Sequence, residues 1–291
     1  MIFFLQQLIQ GLALGSIYGL IAIGYVLIYN TWGVLNFAQG DMVMVGAFTV
    51  LVTHSMMGLP MYLAIPIAVV MCMVIGYLIE LTAFRPLINA ENQRRLIATI
   101  GVGIFLRNLA QIMFGADAFP FPSIFGDKTM DIGGLMIVPQ DIWNTVVGIL
   151  LVVLLMLFLK KTRMGKAMRA TAQDREAARL MGVNVRSCMT TTFVMASAIG
   201  GFAGMLLAPK YFVIASLGTT FGNKGFSAAL LGGIASNAGS MVGGVVLGIL
   251  ESLAAVYGSS MWQTAIAFLI LFLVLIVKPS GLMGKKDIRK V

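Results

Sequence analysis

The residues able to do acid–base, nucleophilic or metal chemistry are few in this 291-residue chain, and their spacing matches no usual catalytic constellation. His54 is the only histidine. That excludes a zinc HExxH site and a histidine cluster for a transition metal, and no Ser-His arrangement is recognisable around it. His54 itself reads as a surface or capping residue at the end of a short apolar segment. No GxxxxGK[ST] phosphate loop occurs, since GLMGKK near the C-terminus has the wrong spacing and lacks the hydroxyl residue that would sit on magnesium. Cys72 and Cys188 each lie inside an apolar run, where they read as packing residues and not as a disulfide. The expectation is no enzyme, no cofactor and no metal, with any ATP energy entering through a partner.

Charges inside apolar runs are costly and therefore informative. Arg107 falls near the middle of the run 96–115, beside Asn108 and Gln111. It either faces a bundle interior or makes a structural ion pair, with Glu80 or Glu251 as partner. Asp41 and Lys224 open two short apolar segments. An acid complements a helix N-terminus and a lysine does not, which makes Lys224 the less expected of the two; it can bind a carboxylate or a backbone carbonyl.

The segment 160–187 reads KKTRMGKAMRATAQDREAARLMGVNVRS. Good helix formers run through AMRATAQDREAARLM and stop at Gly182-Val183-Asn184. A solvated linker needs no such helix. Ala177, Ala178, Leu180 and Met181 offer an apolar face between charges, suited to docking on a soluble subunit or to lying on anionic headgroups.

These residues must be positioned by membrane elements. Apolar and aromatic residues make up 59% of the chain and charged residues only 11%, a balance that excludes an ordinary soluble domain and a disordered one. Apolar runs fall at about 5–29, 42–53, 61–83, 96–115, 142–159, 188–208, 225–236, 241–257 and 261–277. The start, MIFFLQQLIQGLALGS, has no basic region and no cleavage site near residue 20, so it reads as a retained span. The net charge of +9 and isoelectric point near 9.8 are topological. Basic residues collect at 84–95, at 160–187 and in the tail from Lys278, whereas 116–141 holds Asp117, Asp127, Asp131 and Asp141 against Lys128. By the positive-inside rule the first three are cytoplasmic. With the N-terminus outside, nine segments put each basic loop inside. Nucleic acid is not implied.

Two of the nine segments are about 12 residues long, which reaches only about 18 Å against a hydrocarbon core of roughly 30 Å. Each follows a polar stretch read as irregular: NTWGVLNFAQGD (30–41) and SLGTTFGNKG (216–225). Broken elements at matching positions of two halves are the pattern of an inverted repeat around a midplane path; Gly and Pro kinks arising by chance are the alternative. The fold expected is an all-α polytopic membrane protein, one permease domain over 1–291, with halves 1–141 and 142–291. It has about seven full spans and two half-helices. Small residues at four-residue spacing (Gly11, Gly15, Gly19; Gly200, Gly204; Gly244, Gly248) argue for close helix packing.

Glu176-Ala177-Ala178, three further residues and Gly182 resemble the E-A-A-x-x-x-G core of the coupling loop of bacterial ABC-importer permeases; the I-x-L-P that follows in that loop is replaced here by TTFVM. The wider order, GLALGSIYGLIAIGYVLIYNTWGVLNFAQGD, IELTAFRPL, RMGKAMRATAQDREAARLMGVN and GGIASNAGSMVGGVVLGILE, covers almost the whole chain. It resembles the branched-chain amino-acid ABC transporter permeases of the LivH type. The resemblance implies import into the cytoplasm across the bacterial inner membrane, with a second homologous permease, two ATP-binding cassette subunits and a periplasmic substrate-binding protein as partners. It places Arg169, Arg175, Glu176, Ala177, Ala178 and Gly182 at the ATPase, and Asn36, Gln39, Asp41, Asn223 and Lys224 along the path. Where the family commonly has N-F-A-H-G this chain has Gln39, so no histidine role is available. Permeases for urea or amides share much of this pattern. A stand-alone secondary transporter or channel, with Asp41, Glu80 or Glu251 coupling ions, is the reading from another class.

Overall fold

The computed structural model describes residues 2–126, 129–132, 135–257 and 262–284. Asp127, Lys128 and the tail charges Lys285, Lys286, Asp287, Arg289 and Lys290 lie outside the described residues. In chain order the helices are α1 (Ile2–Trp32), α2 (Gln39–Val50), α3 (Met61–Ile79), α4 (Asn92–Phe114), α5 (Pro139–Lys161), α6 (Arg163–Gln173), α7 (Arg175–Leu180), α8 (Val185–Leu207), α9 (Leu217–Gly232), α10 (Asn237–Tyr257) and α11 (Gln263–Val277). A π-helical turn, Leu51–Met56, prolongs α2; a second, Glu80–Phe84, followed by a 3-10 turn, Arg85–Leu87, prolongs α3. The only departure from all-α among the described residues is a three-residue hairpin, β1 (Met130–Ile132) with β2 (Leu135–Ile137), and one isolated bridge between Phe119 and Val213.

Among the described residues six helices are long and apolar enough to cross a membrane: α1, α3 with its continuation to Leu87, α4, α5, α8 and α10. The chain is thus a multi-pass membrane protein. α11 is apolar but has only 15 residues, about 22 Å of helix. α1 is hydrophobic around its whole circumference, the mark of a helix surrounded by protein, and 94% of its most apolar window is buried. It is the axis of the bundle, with α5, α8, α9 and α10 packed around it.

Between helices in lipid the hydrophobic effect does little, so association depends on how closely backbones approach. Gly11, Gly15 and Gly19 of α1 lie along Gly244, Val245, Gly248 and Ile249 of α10: a Cβ on Gly11 would lie 2.7 Å from Ile249 Cα, and one on Gly15 would lie 2.6 Å from Val245 Cα. The four-residue spacing expected to pack therefore does so, and mostly against its own counterpart. α2 meets α9 in the same way, with Gly40 between Gly218 and Gly222.

The second polar stretch departs from expectation. Residues 217–225 are helical, and Lys224 sits in the middle of α9 instead of opening it. Gly218 and Gly222 look like chain breakers, but here they are the surface that admits Gly40, and in lipid a helix also satisfies every backbone group internally. The first stretch is irregular only over residues 33–38. The cytoplasmic helix expected across 167–181 is divided at Asp174, whose carboxylate Oδ1 accepts from the backbone N–H of Glu176 (2.9 Å) and Ala177 (3.0 Å). Asp is a weak helix-interior residue and a strong N-cap, so it ends α6 and begins α7. The stop at Gly182 falls where it was expected, with φ +79°.

The α1–α10 seam gives a direct test. Gly248→Val drives a branched side chain into the Gly15 backbone and is expected to cost about 3 kcal/mol or more, whereas Gly101→Ala, in α4 with nothing within 4 Å of the added methyl, gains roughly 0.5–1 kcal/mol. Unfolding in detergent micelles, followed by circular dichroism, separates the two.

Candidate functional site

The chain leaves α1 through Gly33, whose φ of +66° and N–H donated to Tyr29 O at 2.8 Å end the helix. The residues that follow are tied locally. Asn36 is buried and its side-chain oxygen accepts from Ala38 N–H at 3.1 Å, while Phe37 N–H donates to Thr99 Oγ1 at 3.1 Å. Gln39 is fully buried and donates from Nε2 to Ala196 O at 2.8 Å; its amide fills the room left by Gly24 and Gly200. Asn36 thus fixes the turn that enters α2, and Gln39 ties α2 to α8.

Asp41 follows in the first turn of α2, where the helix dipole favours a negative charge. It is 3% exposed and borders a cavity of about 190 Å³ whose walls are Tyr25, Phe37, Gly40, Ile100, Gly103, Arg107, Gly218, Thr219, Gly222 and Asn223. A second cavity, of about 430 Å³, runs between α4 and the start of α9 and shares Arg107 and Thr219 with the first. Arg107 Nε stands 3.2 Å from Asp41 Oδ1, but its single hydrogen is directed at Gly103 O at 3.1 Å. Asp41 Oδ1 accordingly has a charge partner and accepts no hydrogen bond. Arg107 Nη1 donates to Thr219 Oγ1 at 2.9 Å. Of the two partners considered for Arg107, neither is the one it has: Glu80 pairs with Arg85 at 2.8 Å, and Glu251 with Lys224.

The structure brings Asp41 and Asn223 together at the first cavity and leaves Asn36, Gln39 and Lys224 outside its lining. Lys224 joins a separate buried group. Its Nζ pairs with Glu251, whose other carboxylate oxygen accepts from the Tyr18 hydroxyl at 2.7 Å, and it lies 5.7 Å and 5.6 Å from the ring centres of Tyr18 and Phe221. This ties α1, α9 and α10. Thr219, Tyr25 and Arg107 as the partner of Asp41 were not legible in the sequence, because nothing in local spacing pairs residues 66 positions apart on different helices.

In the segment 160–187 Ala178 turns inward at 4% exposed, while Leu180 and Met181 stand out at 88% and 84%; Arg169, Glu176, Ala177 and Gly182 are also exposed. The apolar residues of this loop therefore divide between two faces. Arg175 points inward. Its Nη2 donates to Thr31 O at 2.5 Å, and Arg95 Nη1 donates to Trp32 O at 3.0 Å. Two guanidinium groups thereby cap the last carbonyls of α1, where the dipole favours positive charge. Burial, and after it the charge of Arg95, draw the Arg175 guanidinium below its ordinary pKa.

The Lys224–Glu251 pair predicts a non-additive pattern. Lys224→Met leaves a carboxylate buried without its cation and is expected to cost about 3–5 kcal/mol, whereas Lys224→Met combined with Glu251→Met recovers more than half of that; denaturant unfolding in micelles measures both.

The chain was compared with known proteins. It matches the family model described as branched-chain amino acid transport system / permease component over residues 7–276. It is 37% identical to the high-affinity branched-chain amino acid transport system permease protein LivH of Escherichia coli strain K12, over 100% of this chain and 98% of that one. BraD of Pseudomonas aeruginosa, described in the same terms, is 36% identical over 99% and 98% of the two chains. Among solved structures, PsaBC from Streptococcus pneumoniae in complex with Fab superposes with a TM-score of 0.51 at 13% identity, covering 93% of this chain and 91% of that one, a likeness of fold alone. With a family model spanning most of its length and full-length relatives above 30% identity, the chain belongs to the family of branched-chain amino acid transport permeases.

Proposed function

We infer that the chain is the membrane permease of an ABC importer that carries branched-chain amino acids into the cytoplasm, while partner subunits hydrolyse the ATP. One observation carries this reading beyond the family relationship. The cavity at Asp41 and Arg107 is connected by seven residues of chain, 33–39, to the end of α1 that the cytoplasmic α7 holds through Arg175. Motion imposed on α7 has a short covalent and hydrogen-bonded route to the cavity wall.

In this reading α11 is the seventh span and α2 and α9 are the two short elements of an inverted repeat, crossing at Gly40 and Gly218. The N-terminus is outside and the tail is cytoplasmic, as the basic loops require. α6 and α7 lie on the ATPase, with Leu180 and Met181 entering it and Arg169, Glu176 and Ala177 around them; Gly182 ends the docking helix. A second permease covers the open groove between α4 and α9, and a periplasmic protein delivers substrate. The relationship to LivM of Escherichia coli, 27% identical over 82% of this chain, supports a pair of related permeases. Asn223 borders the path beside Asp41; Asn36, Gln39 and Lys224 set the positions of the helices that form it.

A permease for urea or amides is the second reading within the fold. Reconstitution of permeases, ATPases and binding protein into liposomes decides between them: ATP-dependent accumulation of leucine is expected, and accumulation of urea or acetamide in place of leucine overturns the reading. Two variants divide the coupling loop by role. Leu180→Asp with Met181→Asp is expected to prevent co-purification of the ATPase. Arg175→Met is expected to leave co-purification intact, lower leucine uptake about tenfold and raise the ATP hydrolysed per leucine.

A further inference from the structure

The cavity beside α2 holds a carboxylate and a guanidinium that are close but incompletely matched. Asp41 Oδ1 is buried, lies 3.2 Å from Arg107 Nε and accepts no hydrogen bond, because that N–H is directed at Gly103. A buried carboxylate oxygen without a donor is expensive. The group that satisfies it must bring an N–H and tolerate a cation nearby. Arg107 in turn has a fork of five N–H groups, of which its contacts with Gly103 and Thr219 use two, and it lies in the wall common to both cavities. The larger apolar side chains of the lining are Tyr25, Phe37 and Ile100, and Asn223 is a further polar one. One negative and one positive group a few ångströms apart, with apolar walls beside them, fit one solute class: an ammonium and a carboxylate on one carbon with an apolar side chain.

We propose that Asp41, Arg107 and Thr219 bind the charged head of a zwitterionic α-amino acid during passage. The ammonium donates to Asp41 Oδ1, and the carboxylate accepts from the Arg107 guanidinium that Thr219 holds in place. The apolar side chain lies against Tyr25, Phe37 and Ile100. This rests on the importer reading above and sharpens it, since a neutral urea or amide needs hydrogen-bonding groups but gains nothing from a buried carboxylate beside a half-buried guanidinium. Binding at the head alone also explains how one path serves several branched side chains: the contacts that fix the solute are common to all of them. The pair serves in addition to hold α4 against α2. That structural role alone would give no discrimination among solutes.

The test uses the whole complex of permeases and ATPases in detergent, without binding protein, and follows thermal unfolding on addition of four probes: L-leucine, 4-methylpentanoate, isopentylamine and isobutyramide. Leucine is expected to raise the unfolding temperature, and the probes lacking the ammonium or the carboxylate, or both charges, are not. Asp41→Asn keeps the shape and leaves Arg107 able to reach water, since its side chain is 32% exposed. It is expected to lower the ligand-free unfolding temperature, because the pair also holds α4 against α2, and in addition to abolish the leucine shift measured from that new baseline and lower uptake about tenfold or more, the usual effect of one charged hydrogen bond. Thr219→Val, which removes only the brace on Arg107, is expected to weaken the leucine shift and serves as the readout if Asp41→Asn does not assemble. An undiminished leucine shift in both variants, equal shifts by isobutyramide and leucine, or no leucine shift in the wild-type complex overturns the proposal. Leucine uptake by the full system with its binding protein, measured in parallel, reports separately on the importer reading.

Discussion

A charge held at membrane depth has to find its opposite within the protein, and that requirement organises this fold. Among the described residues four acids are almost wholly buried: Asp41, Glu80, Asp141 and Glu251. Each meets a base, respectively Arg107, Arg85, Lys210 and Lys224, and each base is the more exposed partner. The asymmetry follows from side-chain length, because Lys and Arg can carry charge toward water while their stems stay in apolar surroundings. Three of the four pairs join distant elements: α2 to α4, α5 to the segment before α9, and α9 to α10. They act as locating pins between helices that otherwise slide freely, since lipid offers helices no hydrophobic reason to prefer one register over another.

The pins can act only because the backbones come close enough. Gly11, Gly15, Gly244 and Gly248 bring α1 and α10 into backbone contact, and the hydroxyl of Tyr18 on α1 then reaches Glu251 on α10. Gly40, Gly218 and Gly222 do the same for α2 and α9, which places Asp41 one residue from the crossing and Thr219 in line with Arg107. The small residues thus set the distances and the charges set the register. Replacing either class alone leaves the other without its function.

What could be read from the residues and what could not divides along this line. The apolar runs, the glycine stripes, the stop at Gly182 and the kinship of the whole chain were legible because they are local or linear features. The pairing of Asp41 with Arg107 was not, because it depends on which faces of α2 and α4 meet. The helix over 217–225 was misread for a physical reason: SLGTTFGNKG has the composition of a loop in water, but small and polar residues in a membrane helix are often the packing surface. Arg175 was assigned with the loop that carries it, although its side chain turns back to the end of α1. Sequence places a residue on an element; only packing decides which neighbour it serves.

In the proposed importer reading the division of the segment 160–187 into two helices acquires a mechanical meaning. A continuous helix across residues 163–180 would carry Arg175 wherever α6 went. The break at Asp174 lets α7 take its own direction, and Arg175, at its first position, reaches the carbonyl of Thr31. From Thr31 the chain passes through Gly33 and the braced residues Asn36 and Gln39 to Asp41. Arg175 on the Thr31 carbonyl, the Asn36–Ala38 turn and the Gln39 contact with Ala196 hold this stretch at three points, and in the proposed importer reading displacement of α7 reaches the first turn of α2 along it. A path built this way needs no long-range communication through the core. It needs α1 to stay fixed against α10, and the glycine seam from Gly11 to Gly19 supplies that.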